Sequence, residues 1–223
     1  MPSSFLSHQA PALYIKAKYP KKIDGTAICL ATIVPDFSLF LDLFTDGFFR
    51  NISHSFMGIF IWTLPLTLLS TIIFSRYIGP FLARIVKWDV FLFSPLRYFG
   101  VDLWDRLKFK RFNKQFFIVA SYSAVIGGLT HILLDFPAHE NIELFYPFVL
   151  FKVPEFMRIV LIDYGTIQIG TRVRELTLTV YTLIWIIETL VLIIPTLYYL
   201  RKLKKDNVMN NRENLKTKNL RIN

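Results

Sequence analysis

Residues 56–75, FMGIFIWTLPLTLLSTIIFS, are twenty consecutive residues without a charge, and nothing else in the chain constrains its fold as strongly. As a helix rising ~1.5 Å per residue, this run is ~30 Å long, the thickness of a bilayer's hydrocarbon core. Pro65 inside it is tolerated in a membrane helix and predicts a kink. Residues 116–136 and 178–200 have the same character, each interrupted by one acid, Asp135 and Glu188 respectively. Residues 25–45 form a weaker span, broken at Pro35-Asp36. Residues 144–162 are apolar but carry Pro147, Lys152, Pro154, Glu155 and Arg158, which reads as an interfacial or re-entrant segment. The pattern predicts an all-α fold: a multi-pass integral membrane helical bundle of about four to five membrane-embedded helices plus interfacial helices. A composition that is 53% hydrophobic with 22 Phe is too apolar for an ordinary soluble domain.

Charge gives the expected orientation. Of 26 Lys and Arg, nine lie in 76–115 and eight in 201–223, against one (Arg50) in 46–55 and four in 137–176. Basic residues mark the cytoplasmic side of membrane proteins, so the 76–115 connection and the C-terminal segment are expected there, in a cell inner (plasma) membrane. The connection interleaves its charges with Trp88, Phe91, Phe93, Tyr98, Phe99 and Trp104, as segments lying along a lipid surface do. This banding argues for membrane lipid as partner and against nucleic acid, which needs a basic soluble fold. Residues 1–200 read as one helical domain and 201–223 as a basic, unstructured tail. No basic residue precedes an apolar core near residue 1, so no cleavable signal peptide is expected. The single Cys29 permits no intrachain disulfide.

Against this apolar background the stretch THILLDFPAH, residues 130–139, places His131, Asp135 and His139 four residues apart. On a helix His131 and Asp135 share one face. Pro137 is expected to end that helix at about Asp135 or Phe136, leaving His139 on the loop beyond. Counting from Lys22, His8 lies 14 residues before and Asp36 14 after. On antiparallel helices both reach ~20 Å into the bilayer, and His131, counted from Lys114, reaches ~25 Å. His54 opens the 56–75 run, so all four histidines and two aspartates can converge in the outer half of the membrane.

Each residue also has a plainer reading. His54 and His139 suit a membrane interface, and His8 suits a short helix start with Ser4 or Ser7 as cap. Glu188 reads as structural, paired or neutral. Asp36 and Asp135 are harder to explain, because a carboxylate at membrane depth costs at least ~2.5 kcal/mol unless paired or solvated. Imidazole and carboxylate are ligands of Zn²⁺, Mn²⁺ or Fe²⁺, and a divalent ion offsets the burial of the acids. The candidate metal ligands are therefore His8, Asp36, His54, His131, Asp135 and His139, with Zn²⁺ the foremost ion. Asp36 and Asp135 double as candidate catalytic acid–base groups. A rival account lets the same residues relay protons or bind a transported solute, and a purely structural metal site is a third.

SHQAPAL (7–13), VPDF (34–37), RNISHS (50–55) and THILLDFPAH (130–139) resemble the ordered motifs of domain-of-unknown-function family 4184, a group of small bacterial multi-pass membrane proteins. The order is also similar to that of the membrane-bound metal-dependent hydrolases. Carried over by position, the resemblance implicates His8, Asp36, His54, His131, Asp135 and His139. Those hydrolases often carry a second acid two residues after the Pro-Asp aspartate. Ser38 stands there in this chain, which weighs against a two-metal site. No P-loop, dinucleotide glycine pattern or His-Glu-x-x-His element is present. The combined expectation is a metal-dependent hydrolase acting on a lipid-like phosphoester or amide, the alternative a non-enzymatic membrane protein using the same cluster.

Overall fold

The computed structural model describes residues 6–42, 44–45, 48–88, 90–138, 143–148, 154–169 and 172–219. The chain is mostly helical. Helix α1 spans Gln9–Lys18 and α2 Gly25–Ala31, the latter capped by the Asp24 side chain, which accepts from the Ala27 N–H at 2.9 Å. A 3-10 turn, Val34–Phe37, leads into α3, Ser38–Asp42, and α4 covers Phe48–Ser53. The long helix α5 runs Phe56–Val86. After a short α6 (Ser94–Phe99) and a 3-10 stretch (Val101–Phe109) comes α7, Lys114–Ala138. Strands β1 (Val160–Ile169) and β2 (Arg172–Thr179) then lead into α8, Val180–Asn219.

Three of these helices, Phe56–Val86, Lys114–Pro137 and Val180–Asn207, are long and apolar enough to cross a membrane. There are four such units if the pair Gly25–Ala31 and Val34–Asp42, bent by 49°, counts as one span. Pro35 causes that break, since it disfavours helical backbone at Val34. Pro65 and Pro80 in α5 are accommodated differently. Each lies just after a π-helical stretch, Ile59–Thr63 and Phe74–Ile78, whose longer hydrogen-bond spacing absorbs the missing N–H.

Two expectations are corrected. The fold is not all-α, because β1 and β2 pair antiparallel from Val160↔Thr179 to Ile169↔Arg172. Residues 160–179 are rich in β-branched Val, Ile and Thr, which favour a pleated backbone. Gly165, at φ 87°, sits in the irregular step between Asp163 and Thr166, where its N–H donates to the Asp163 carboxylate at 2.8 Å. Second, α7 does not stop at Asp135 or Phe136 but carries Pro137 within it and ends at Ala138. A proline near a helix end forfeits only its own N–H bond, here to Leu133. Helix α8 continues to Asn219, into the basic segment that begins at Arg201. Its start is docked: Arg201 donates to the Tyr98 carbonyl at 3.1 Å and lies over the Tyr98 ring, and Lys204 pairs with Asp102 at 3.3 Å. In the same region Lys87 hydrogen-bonds Asp105 and holds its carboxyl below the usual carboxylate range.

Small residues set the helix packing. Ala27, Ala31, Ala120 and Ala124 are fully buried where α2 meets α7, and α5 presents Thr63, Thr67, Thr71 and Ser75, every fourth residue, with no exposed surface. Helices that lack a hydrophobic drive toward each other associate through such small-residue contacts. A Cβ on Gly127 would lie 2.5 Å from the Ile28 carbonyl oxygen and 2.7 Å from the Ala31 Cβ. Gly127→Ala is therefore expected to push α2 from α7 and cost about 1–3 kcal/mol of stability, read as a lower thermal midpoint in detergent. An unchanged midpoint would show that this crossing is looser than described.

Candidate metal centre

Four elements converge at the end of the bundle opposite the basic connection. His8 precedes α1, Asp36 sits on the 3-10 turn, His54 lies between α4 and α5, and His131 and Asp135 stack one turn apart near the end of α7. Each position has a local cause. The break at Pro35 turns Asp36 inward, and the Trp62 indole N–H pins that turn by donating to the Val34 carbonyl at 3.2 Å. Ser55 caps α5 by accepting from the Gly58 N–H at 3.0 Å, which fixes the corner carrying His54. Gln9 holds α1 against α2, donating to the Cys29 carbonyl at 3.1 Å and to Thr32 Oγ1 at 2.7 Å.

The centre is buried. His8, His131 and Asp135 are at most 1% exposed and His54 is 3% exposed, while the Asp36 side chain keeps 28% of its surface open. Asp36, His54, His131 and Asp135 each offer one ligand atom, all within 4.8 Å of one another, and together could hold a metal ion. His131 Nε2 lies 3.1 Å from Asp135 Oδ2, 3.3 Å from His54 Nε2 and 3.7 Å from Asp36 Oδ1. His54 Nε2 is 3.2 Å from Asp135 Oδ2 and 3.5 Å from Asp36 Oδ1. Four atoms around an ion at ~2.0–2.1 Å in tetrahedral geometry are ~3.3–3.4 Å apart. The five separations straddle that value, so the donor set fits a small divalent ion.

The outward-facing ring nitrogens explain why these two Nε2 atoms point inward. His131 Nδ1 lies 2.9 Å from the Thr32 carbonyl, which can only accept, so the proton is on Nδ1 and the Nε2 lone pair faces the centre. His54 Nδ1 faces the Arg50 carbonyl at 3.2 Å and Ser53 Oγ at 2.8 Å, and the same reasoning applies. Ser53 Oγ in turn donates to Ser38 Oγ at 3.0 Å, both residues fully buried. Partners of this kind set the tautomer and orientation of metal-binding imidazoles. Ser38, in the place of a second acid, is the last link of this chain. His8 completes the surround: its Nδ1 is 3.0 Å from His131 Nδ1 and its Nε2 3.3 Å from Asp135 Oδ1. It touches two members of the cluster without belonging to it.

The model of the domain of unknown function DUF4184 matches residues 1–220. The chain belongs to the DUF4184 family. No curated protein and no solved structure matches it.

In this DUF4184 chain, five of the six residues singled out from sequence come together, and His139 lies outside the described residues. His8 is brought in as a neighbour of the set rather than a member. Sequence reasoning missed Ser53 and the carbonyls of Thr32 and Arg50. A serine directly before His54 was the one available signal, since backbone carbonyls leave no trace in side-chain identity. Glu188 stands apart on α8, with Oε1 buried and no hydrogen-bond partner among the described residues.

Proposed function

We propose that this protein is a membrane-embedded, metal-dependent hydrolase with one divalent ion held by His54, His131 and Asp135 in the outer half of the bilayer. The observation that carries the reading is the convergence of four ligand atoms within 4.8 Å of one another, three of them on buried residues, with both imidazoles turned inward by carbonyl partners. Zn²⁺ suits this imidazole–carboxylate set best, ahead of Mn²⁺ and Fe²⁺. Such an ion, when bound, polarises a substrate oxygen and makes a coordinated water nucleophilic near neutral pH.

The residues divide the remaining work. Asp135 is clasped on both oxygens by histidines and serves as ligand. Asp36 has the longest separations and the open surface, so it faces the fourth position as general base. As water adds to a carbonyl carbon or phosphorus, Asp36 takes its proton. The same carboxyl returns that proton to the leaving oxygen or nitrogen as its bond breaks. The substrate class is a lipid-like phosphoester, ester or amide reaching the site from the membrane.

The direct test purifies the protein without chelator, measures its metal, and assays it in bilayers against phospholipids, phosphoesters and acyl amides. Asp36→Asn should keep the metal and lower turnover about 10²–10⁴-fold. Metal-loaded protein that turns over nothing, with Asp36→Asn indistinguishable from wild type, leaves a structural metal site. Protein that takes up neither Zn²⁺ nor Mn²⁺ favours the proton or solute path.

Three long apolar helices support a multi-pass placement in the plasma membrane. In this reading 76–115 and the C-terminal end are cytoplasmic, while 46–55 and 137–176 face the other side. In a Cys29→Ser background, Phe48→Cys should label from outside, and Asp105→Cys and Asn210→Cys only after permeabilisation. Labelling of positions 48 and 105 from the same side would sink this topology.

A further inference from the structure

A groove of about 420 Å³ opens between α7 and α8, lined by Leu134, Pro137, Ile184, Ile187, Glu188 and Val191. Its volume lies within the ~300–1,000 Å³ of small-molecule sites. Two features set it apart from ordinary lipid-facing surface. Leu134 directly precedes Asp135, so the groove runs alongside a member of the candidate metal set. Its wall also contains a carboxyl, Glu188, whose Oε1 is buried and has no hydrogen-bond partner among the described residues. A carboxyl in an apolar groove is costly to bury unless something pairs with it. No Lys, Arg or His is among the groove's lining residues.

We infer that this groove holds an amine-bearing membrane lipid, its ammonium on the Glu188 carboxylate and its chain along Ile184, Ile187 and Val191, presenting its ester linkages to the His/Asp centre. Three observations select this occupant. The groove lies within two helices apolar enough to cross a membrane, so lipid is the surrounding medium. Leu134 and Pro137 lie within about one turn of the Ala138 end of α7, which is headgroup depth for the proposed topology. The single polar group in the wall is an acid, which can accept N–H hydrogen bonds from an ammonium and gains only charge attraction from a quaternary headgroup without N–H donors. The inference rests on the hydrolase reading only for what happens to the lipid, not for its binding.

The test places the full chain in nanodiscs containing phosphatidylethanolamine or phosphatidylcholine with a mid-chain diazirine and maps crosslinks by peptide. The ethanolamine probe should crosslink at the groove at least fivefold more than the choline probe. Glu188→Gln should bring that ratio to one. Ile187→Trp and Val191→Trp should fill the groove and abolish the crosslinks, whereas Leu190→Trp, on exposed surface outside the lining, should not. Equal crosslinking by both probes, or crosslinks unmoved by both groove-filling variants, overturns the inference as boundary lipid only. Zinc is measured on the same samples. Ethanolamine selectivity without zinc removes the metal reading and leaves the groove standing, while zinc without selectivity removes the groove alone.

Discussion

His131→Ala is expected to strip the protein of metal, to below a tenth of the wild-type content by elemental analysis, and to abolish any turnover. His131 Nε2 faces all three other members of the cluster, at 3.1, 3.3 and 3.7 Å, so its loss removes a ligand and the geometric centre of the set together. It also leaves the Thr32 carbonyl without the imidazole N–H and Asp135 without a neighbour one turn back. The buried imidazole's packing and its hydrogen bond to Thr32 are both lost, so the thermal midpoint should fall even in metal-free buffer. Two readouts keep the test sharp. His131→Ala protein that remains folded by size exclusion yet binds zinc stoichiometrically would rule out this centre as the metal site.

His8→Ala should behave differently, weakening zinc binding about 10–100-fold while stoichiometry at saturating zinc stays that of wild type. The reason is its position. His8 Nε2 faces the Asp135 oxygen turned away from the centre, and its Nδ1 meets the back of His131. Removing it frees both groups to rotate without deleting a ligand. Competition titration against a zinc chelator measures the shift. Because ligands must be deprotonated to bind, affinity in both proteins should fall as pH falls. A His8→Ala protein with no zinc at saturation would mean that His8 is a ligand, and one with unchanged affinity would mean that it only fills space.

The sequence by itself determined the long spans, because an uncharged run of twenty residues has few alternatives to a helix crossing apolar medium. It also singled out the polar residues of the candidate centre, since His and Asp among such runs stand out against a uniform background. Their gathering was legible too, as helix rise sets depth without reference to packing. Tertiary structure decided the rest. Whether Asp36 or Asp135 is the more enclosed acid depends on a 49° bend at Pro35 and on three histidines from separate segments. That His8 flanks the cluster follows from the contact of α1 with α2, which Gln9 pins through one amide. The pairing of β1 with β2 was not legible because β-branched residues settle into a strand only once a partner strand supplies the hydrogen bonds. The carbonyls that aim His54 and His131 belong to the backbone, and a backbone group acquires a role only once folding places it against a side chain distant in sequence.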